Sequence, residues 1–148
     1  MSEEIIKEVL TKYRVVAVVG LSRDPGKTSY GVAEYLKKHG FRTVPINPFV
    51  NEILGEKAYK SLLDMPLEVQ KTIEVVQIFR PSEDVPSIVD QVIQLRKSNG
   101  IPFVVWMQLE IVNEQAGEKA RDAGLTVVMN RCMMQEHKRL FGEAAGHD

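Results

Sequence analysis

The chain has 148 residues, 44% of them hydrophobic and 26% charged, which suits one globular domain and argues against a disordered chain. With 19 basic and 20 acidic residues the formal net charge is -1, so no charge excess points to nucleic acid or to an anionic membrane. One cysteine, Cys132, excludes an internal disulfide framework; with no basic-then-apolar leader and no apolar run of spanning length, the expected compartment is the cytoplasm.

Ser2 precedes Ile5, Ile6, Val9 and Leu10 at helical spacing, which predicts a helix over 3–12 within an N-terminal segment 1–13. Val15 to Gly20 is short, β-branched and continuously apolar, the pattern of a strand buried on both faces. A helix is expected from Ser29 to His39, closed by Gly40, and a second strand from Arg42 to Asn47, ended by Pro48. Residues 59–64 read as a short helix before Pro66, and Ile73 to Phe79 as a third strand. Ser82 is the expected cap of a helix that buries Ile88, Val89, Val92, Ile93 and Leu95. A fourth strand (Phe103 to Met107), a helix (Asn113 to Ala123), a fifth strand (Leu125 to Met129) and a last helix (132–140) follow.

Sustained strand–helix alternation implies an α/β, three-layer Rossmann-like fold: a five-stranded parallel sheet with helices on both faces. The expected strand order is 3-2-1-4-5, with the ligand at the carboxyl ends of the strands near the switch point between strands 1 and 4. One domain spans 1–148, with residues 143–148 as a frayed tail.

The residues that follow each strand are unusually polar, aromatic or basic. After strand 1, Gly20-Leu21-Ser22-Arg23 leads through Gly26-Lys27 to a helix start, where loose backbone and unpaired N–H groups suit a phosphate; a solvated turn is the plainer alternative. The loop is neither G-x-G-x-x-G nor a Walker loop, and Asn47-Pro48 stands where an acidic residue would hold the ribose of NAD. Arg80, after Phe79, suits either a phosphate or a surface ion pair. Trp106 suits core packing, Gln108 at the mouth of strand 4 needs partners, and Asn130 suits a turn before the last helix. Cys132, beside Arg131 at that helix start, reads as either an activated thiolate or an inert buried thiol. His39, His137 and His147 are scattered, with no metal-ligand spacing, and Glu136 and His137 read as capping or solvated residues. No catalytic set is evident.

Several segments together resemble the small stand-alone CoA-binding proteins of the Rossmann type, related to the CoA-binding domain of succinyl-CoA synthetase. They are Val16 to Pro25, Tyr35-Leu36 with Gly40-Phe41, Val44 to Pro48, Leu54-Gly55 with Ala58-Tyr59, Phe79-Arg80-Pro81, Trp106-Met107-Gln108, and Asn130 to Met134 with Glu136-His137. The resemblance implies that coenzyme A, or an acyl-CoA, binds along the strand ends. Gly20, Leu21, Ser22, Arg23 and Lys27 would hold its phosphates. Asn47, Pro48, Phe79 and Arg80 would flank the adenosine, and the pantetheine arm would run past Trp106 and Gln108 towards Asn130 and Cys132. A mixed disulfide between Cys132 and the CoA thiol is the sharpest form of that expectation. Glu110, where a small residue is expected, departs from the pattern.

On this reading the chain is a binding protein (a carrier, sensor or regulatory module) rather than an enzyme, with a small-molecule CoA ligand as its partner and its oligomeric state open. The alternatives are a small NAD(P)-linked oxidoreductase and, with thinner support, an acyl-CoA transferase using Cys132.

Overall fold

The computed structural model describes residues 2–147, with side chains described through residue 142, so the tail expected to fray over 143–148 lies outside the fully described part. Helix α1 (Glu3–Lys12) starts at Ser2, whose Oγ accepts the Ile5 N–H at 3.3 Å, and it buries Ile6, Val9 and Leu10. Then come β1 (Val15–Val19), α2 (Thr28–Lys38), β2 (Arg42–Ile46), a short hairpin of β3 (Glu52–Ile53) and β4 (Glu56–Lys57), and the single turn α3 (Leu67–Gln70). The chain continues through β5 (Val75–Ile78), α4 (Val85–Asn99), β6 (Val104–Met107), α5 (Glu114–Asp122), β7 (Thr126–Val128) and α6 (Met133–His147), the last interrupted by a non-helical Gly142.

Five strands pair in parallel in the order β2-β1-β5-β6-β7. The period-2 geometry of a strand buried on both faces explains why the central ones are apolar at every position but Gln77 of β5. Val16 and Val18 of β1 face a layer that contains Ile6, Leu10, Val32, Leu36 and Met133. Ala17 and Val19 face the opposite layer, with Val85, Val89, Val92 and Ala120. Helices α1, α2 and α6 therefore cover one face, and α4 and α5 the other. Each fully buried valine or isoleucine contributes about 1.5–3 kcal/mol by area alone, so loss of the alternating pattern would cost far more than any surface feature.

The three-layer α/β architecture with five parallel strands is the expected one, but the place of the third core strand is corrected. It lies beside β1 rather than outside β2, so the five run 2-1-3-4-5 in chain order and not 3-2-1-4-5. The outer edge of β2 is already occupied. Tyr59 N–H donates to Pro45 O at 3.0 Å, Asn47 N–H donates to Tyr59 O at 2.9 Å, and Ile46 and Tyr59 form a parallel bridge. Proline fits at position 45 because Ile46 O, facing β1, accepts the Gly20 N–H, so the N–H that Pro45 lacks falls on the outer edge.

This pairing also corrects the short helix expected over 59–64. The segment is extended at Tyr59, and only Leu62–Asp64 turns, as a 3-10 helix. Ser82 does not cap α4 either. It opens a 3-10 turn, Ser82–Asp84, and its Oγ accepts the Val112 N–H. No helix in the described residues is long and apolar enough to cross a membrane.

Candidate functional site

The chain leaves β1 for β2 through α2 on one face, and leaves β5 for β6 through α4 on the other. In such a sheet the connections diverge between the carboxyl ends of β1 and β5, and a crevice opens there. A cleft of about 490 Å³ lies at this mouth, within the size range of small-molecule sites. One wall is Val19, Gly20 and Ser22; the next is Ile46 to Phe49; the outer rim is Lys60 to Leu62; the last is Arg80 with the first turns of α4.

Gly20 has φ +88°, and a Cβ there would sit 2.8 Å from Phe79 O and 3.1 Å from the Arg80 Cδ. Glycine is required because the ends of β1 and β5 touch. The loop beyond it is held by its own bonds. Ser22 N–H donates to Ser29 Oγ (3.0 Å), Asp24 N–H to Ser22 Oγ (3.0 Å), and Gly26 N–H to Asp24 Oδ1 (2.9 Å), while Lys27 N–H donates to Asp24 O at 3.0 Å. The glycine-loosened amides expected to cradle a phosphate are thus largely spent on the turn. The first-turn N–H groups of α2, at Thr28, Ser29 and Tyr30, remain for an anion, because its N-cap is Lys27, whose side chain makes no capping bond. Arg23 and Lys27 are exposed beside it and form no ion pair with any described residue.

Asn47 ties the walls together: its Nδ2 donates to Leu21 O at 2.9 Å and its Oδ1 accepts the Phe49 N–H at 2.8 Å. Arg80 makes the ion pair that was its plainer role, with Asp84 at 2.9 Å across side chains 51% and 40% exposed, a contact worth about 0–1 kcal/mol and free to exchange for a ligand anion.

Of the thirteen residues singled out in the sequence, Gly20, Ser22, Asn47, Pro48 and Arg80 line the cleft. Arg23 and Phe79 each adjoin a lining residue in sequence, Lys27 is the N-cap of α2 five residues past Ser22, and Leu21 is fully buried in the layer of α2. The other four do not reach it. Trp106 is fully buried, and its Nε1–H donates to Arg131 O at 2.7 Å. Gln108 Oε1 accepts both the Gln77 Nε2–H and the Met133 N–H at 3.0 Å, which caps α6. Asn130, at φ +58°, accepts the Glu110 N–H on its Oδ1. Cys132 is 4% exposed, inside the layer of α1, α2 and α6.

Phe49 and Lys60 were missed. Phe49 is 89% exposed at the rim, an aromatic ring given to solvent, and the Asn47-Pro48 turn before it was the available signal. Lys60 had none, because its place depends on the edge pairing of Tyr59.

The histidines are not all scattered. The rings of His39 and His137 are 5.3 Å apart, and Tyr35 Oη shares a 2.8 Å hydrogen bond with His137 Nδ1. Glu136 and His137 are buried rather than solvated. Burial holds the His137 imidazole below its usual range, and His39 and Arg14 nearby lower it further. Among the described residues, no three His, Cys, Asp or Glu side chains are grouped to hold a metal.

A family profile described as "CoA binding domain" matches residues 14–138. The protein YneT of Bacillus subtilis (strain 168) is 35% identical over 136 residues, covering 92% of this chain and 94% of YneT. A solved structure titled as a hypothetical protein from Pyrococcus horikoshii OT3 superposes with a TM-score of 0.85 at 41% identity, covering 96% of this chain and 94% of that one. The ADP-forming acetate–CoA ligase of Methanocaldococcus jannaschii is 37% identical over 76 residues, 51% of this chain but only 10% of the ligase.

Proposed function

The chain belongs to the CoA-binding domain family, and from that membership we propose that its cleft holds coenzyme A or an acyl-CoA, with the protein acting as a carrier, sensor or regulatory module. The observation that carries this reading is the position of the cleft, at the joined ends of β1, β2 and β5, with an aromatic rim, no carboxylate at the end of β2, and a loop from its Ser22 wall that leads to the open first turn of α2. The pyrophosphate would meet the first turn of α2 with Arg23 and Lys27 beside it. The adenosine would lie between the Asn47–Phe49 turn and Arg80. The cleft is too small for the whole cofactor, so the pantetheine arm would extend out of it.

A binding role accords with the state of the cleft's hydroxyls. Ser61 Oγ donates to Asp64 Oδ2 at 2.9 Å, Ser87 Oγ donates to Asp84 O at 3.1 Å, and Ser22 Oγ accepts the Asp24 N–H. Each is engaged in holding a turn. A mixed disulfide of CoA with Cys132 would require the start of α6 to open, because the thiol is buried.

A thermal-shift series with CoA, acetyl-CoA, NAD and NADP tests the proposal, since a ligand that binds only the folded form raises the melting temperature by mass action. CoA or acetyl-CoA should give the largest rise. A larger response to NADP or NAD would replace the reading with a nucleotide-linked oxidoreductase.

A further inference from the structure

We infer that Lys60 selects, for this cleft, a nucleotide that carries a phosphate monoester on its ribose. The inference rests on the nucleotide-binding reading of the cleft and goes beyond it by naming the group recognised and the residue that recognises it. In open α/β sheets the ribose of a bound nucleotide lies at the carboxyl end of the second strand, where an acidic residue takes its hydroxyls or a cation takes its phosphate. Here that end carries Asn47, and both ends of its side-chain amide are committed, to Leu21 O and to the Phe49 N–H. No carboxylate is available on that wall. Asp84, across the cleft, is paired with Arg80.

What stands at the rim instead is Lys60. Its backbone is not on a loose loop: the residue before it is pinned to the edge of β2 by the Tyr59–Pro45 and Asn47–Tyr59 hydrogen bonds of 3.0 and 2.9 Å. Lys60 is exposed, is one of the residues that line the cleft, and forms no ion pair with any described residue. The cleft's other cation, Arg80, stands on the opposite wall beside Asp84, so Lys60 is the open positive charge on the ribose side. Phe49, on the wall next to that rim, is an exposed ring on which a base can stack. A base on Phe49 and a ribose phosphate on Lys60 form one continuous recognition wall.

The shared chemistry, a ribose phosphate, is found in CoA at the 3′ position and in NADP at the 2′ position. Titration calorimetry on the full chain with CoA, 3′-dephospho-CoA, NADP and NAD separates the two. The native protein should favour the ribose-phosphorylated member of one pair by about ten- to a hundredfold, the range of a charge-assisted hydrogen bond. Lys60→Met should remove that preference while leaving the affinity for the unphosphorylated member within about twofold, and Lys60→Arg should keep it. If the preference persists in Lys60→Met, or the native protein binds both members of each pair equally, the inference is overturned. A preference confined to the NADP pair, and lost in Lys60→Met, would uphold it and remove the CoA reading. Binding of none of the four would remove both.

Discussion

Gly20 is held by two independent demands, a φ of +88° and a backbone carbonyl, Phe79 O, 2.8 Å from where a Cβ would stand. The left-handed backbone alone costs about 1–3 kcal/mol for a residue with a side chain, and the contact is with backbone, which cannot swing aside. Gly20→Ala should therefore lower the unfolding free energy read from a urea titration by an amount in or above that range; an unchanged value would mean that β1 and β5 do not meet as described. The need for glycine here was legible in the sequence, but its cause was not. A ligand's close approach and a neighbouring strand's close approach call for the same residue, and only the fold says which is present. Asn47 teaches the same lesson. The absence of an acid at that position could be read directly, whereas the clasp it makes to Leu21 depends on a contact 26 residues away in sequence.

At the scale of elements, the corner between β6 and α6 explains why four expected ligand contacts are taken up within the protein, three of them buried and Asn130 at the surface. Trp106, Gln108 and Asn130 are polar or half-polar residues at strand ends, the pattern that suggests a site. Their hydrogen bonds go to Arg131 O, the Met133 N–H and the Glu110 N–H, and Cys132 is packed beneath them. Position after a strand limits where a side chain begins but not where it points. Gln108→Leu should cost about 1–3 kcal/mol, because the buried Met133 N–H and Gln77 amide lose their acceptor. Gln77→Leu should cost much less, since Gln77 Oε1 is buried without a hydrogen-bond partner among the described residues and its removal leaves Gln108 still bonded to Met133. Paired urea titrations compare them, and equal losses would contradict the capping role of Gln108. The strand–helix alternation was legible because each element carries its own periodicity. The order of strands was not, because the segment that fills the edge of β2, around Tyr59, is too short to have a period.

Across the whole molecule the sheet separates two layers with different sensitivities. The cleft opens beside α4, whereas His137 lies among α1, α2 and α6, in contact with Tyr35, Phe41 and Phe141 and near Arg14 and His39. A histidine whose affinity for protons is depressed by folding binds more protons when unfolded, so stability rises with pH across the interval between its folded value and the unfolded value of about 6.5. Its contribution is complete above about 6.5, is lost as pH falls from there towards the folded value, and changes no further below it. Melting temperatures taken downward from pH 7.5 should show this decline before the carboxylates begin to protonate, and His137→Phe should flatten it. The same variant should leave ligand affinity at pH 7.5 within about twofold, because the sheet lies between the imidazole and the cleft and no hydrogen bond of His137 reaches a residue that lines it. A His137→Phe protein that kept the full acid slope would place the titrating group elsewhere; one that lost ligand binding along with the slope would show that the two layers are coupled through the sheet.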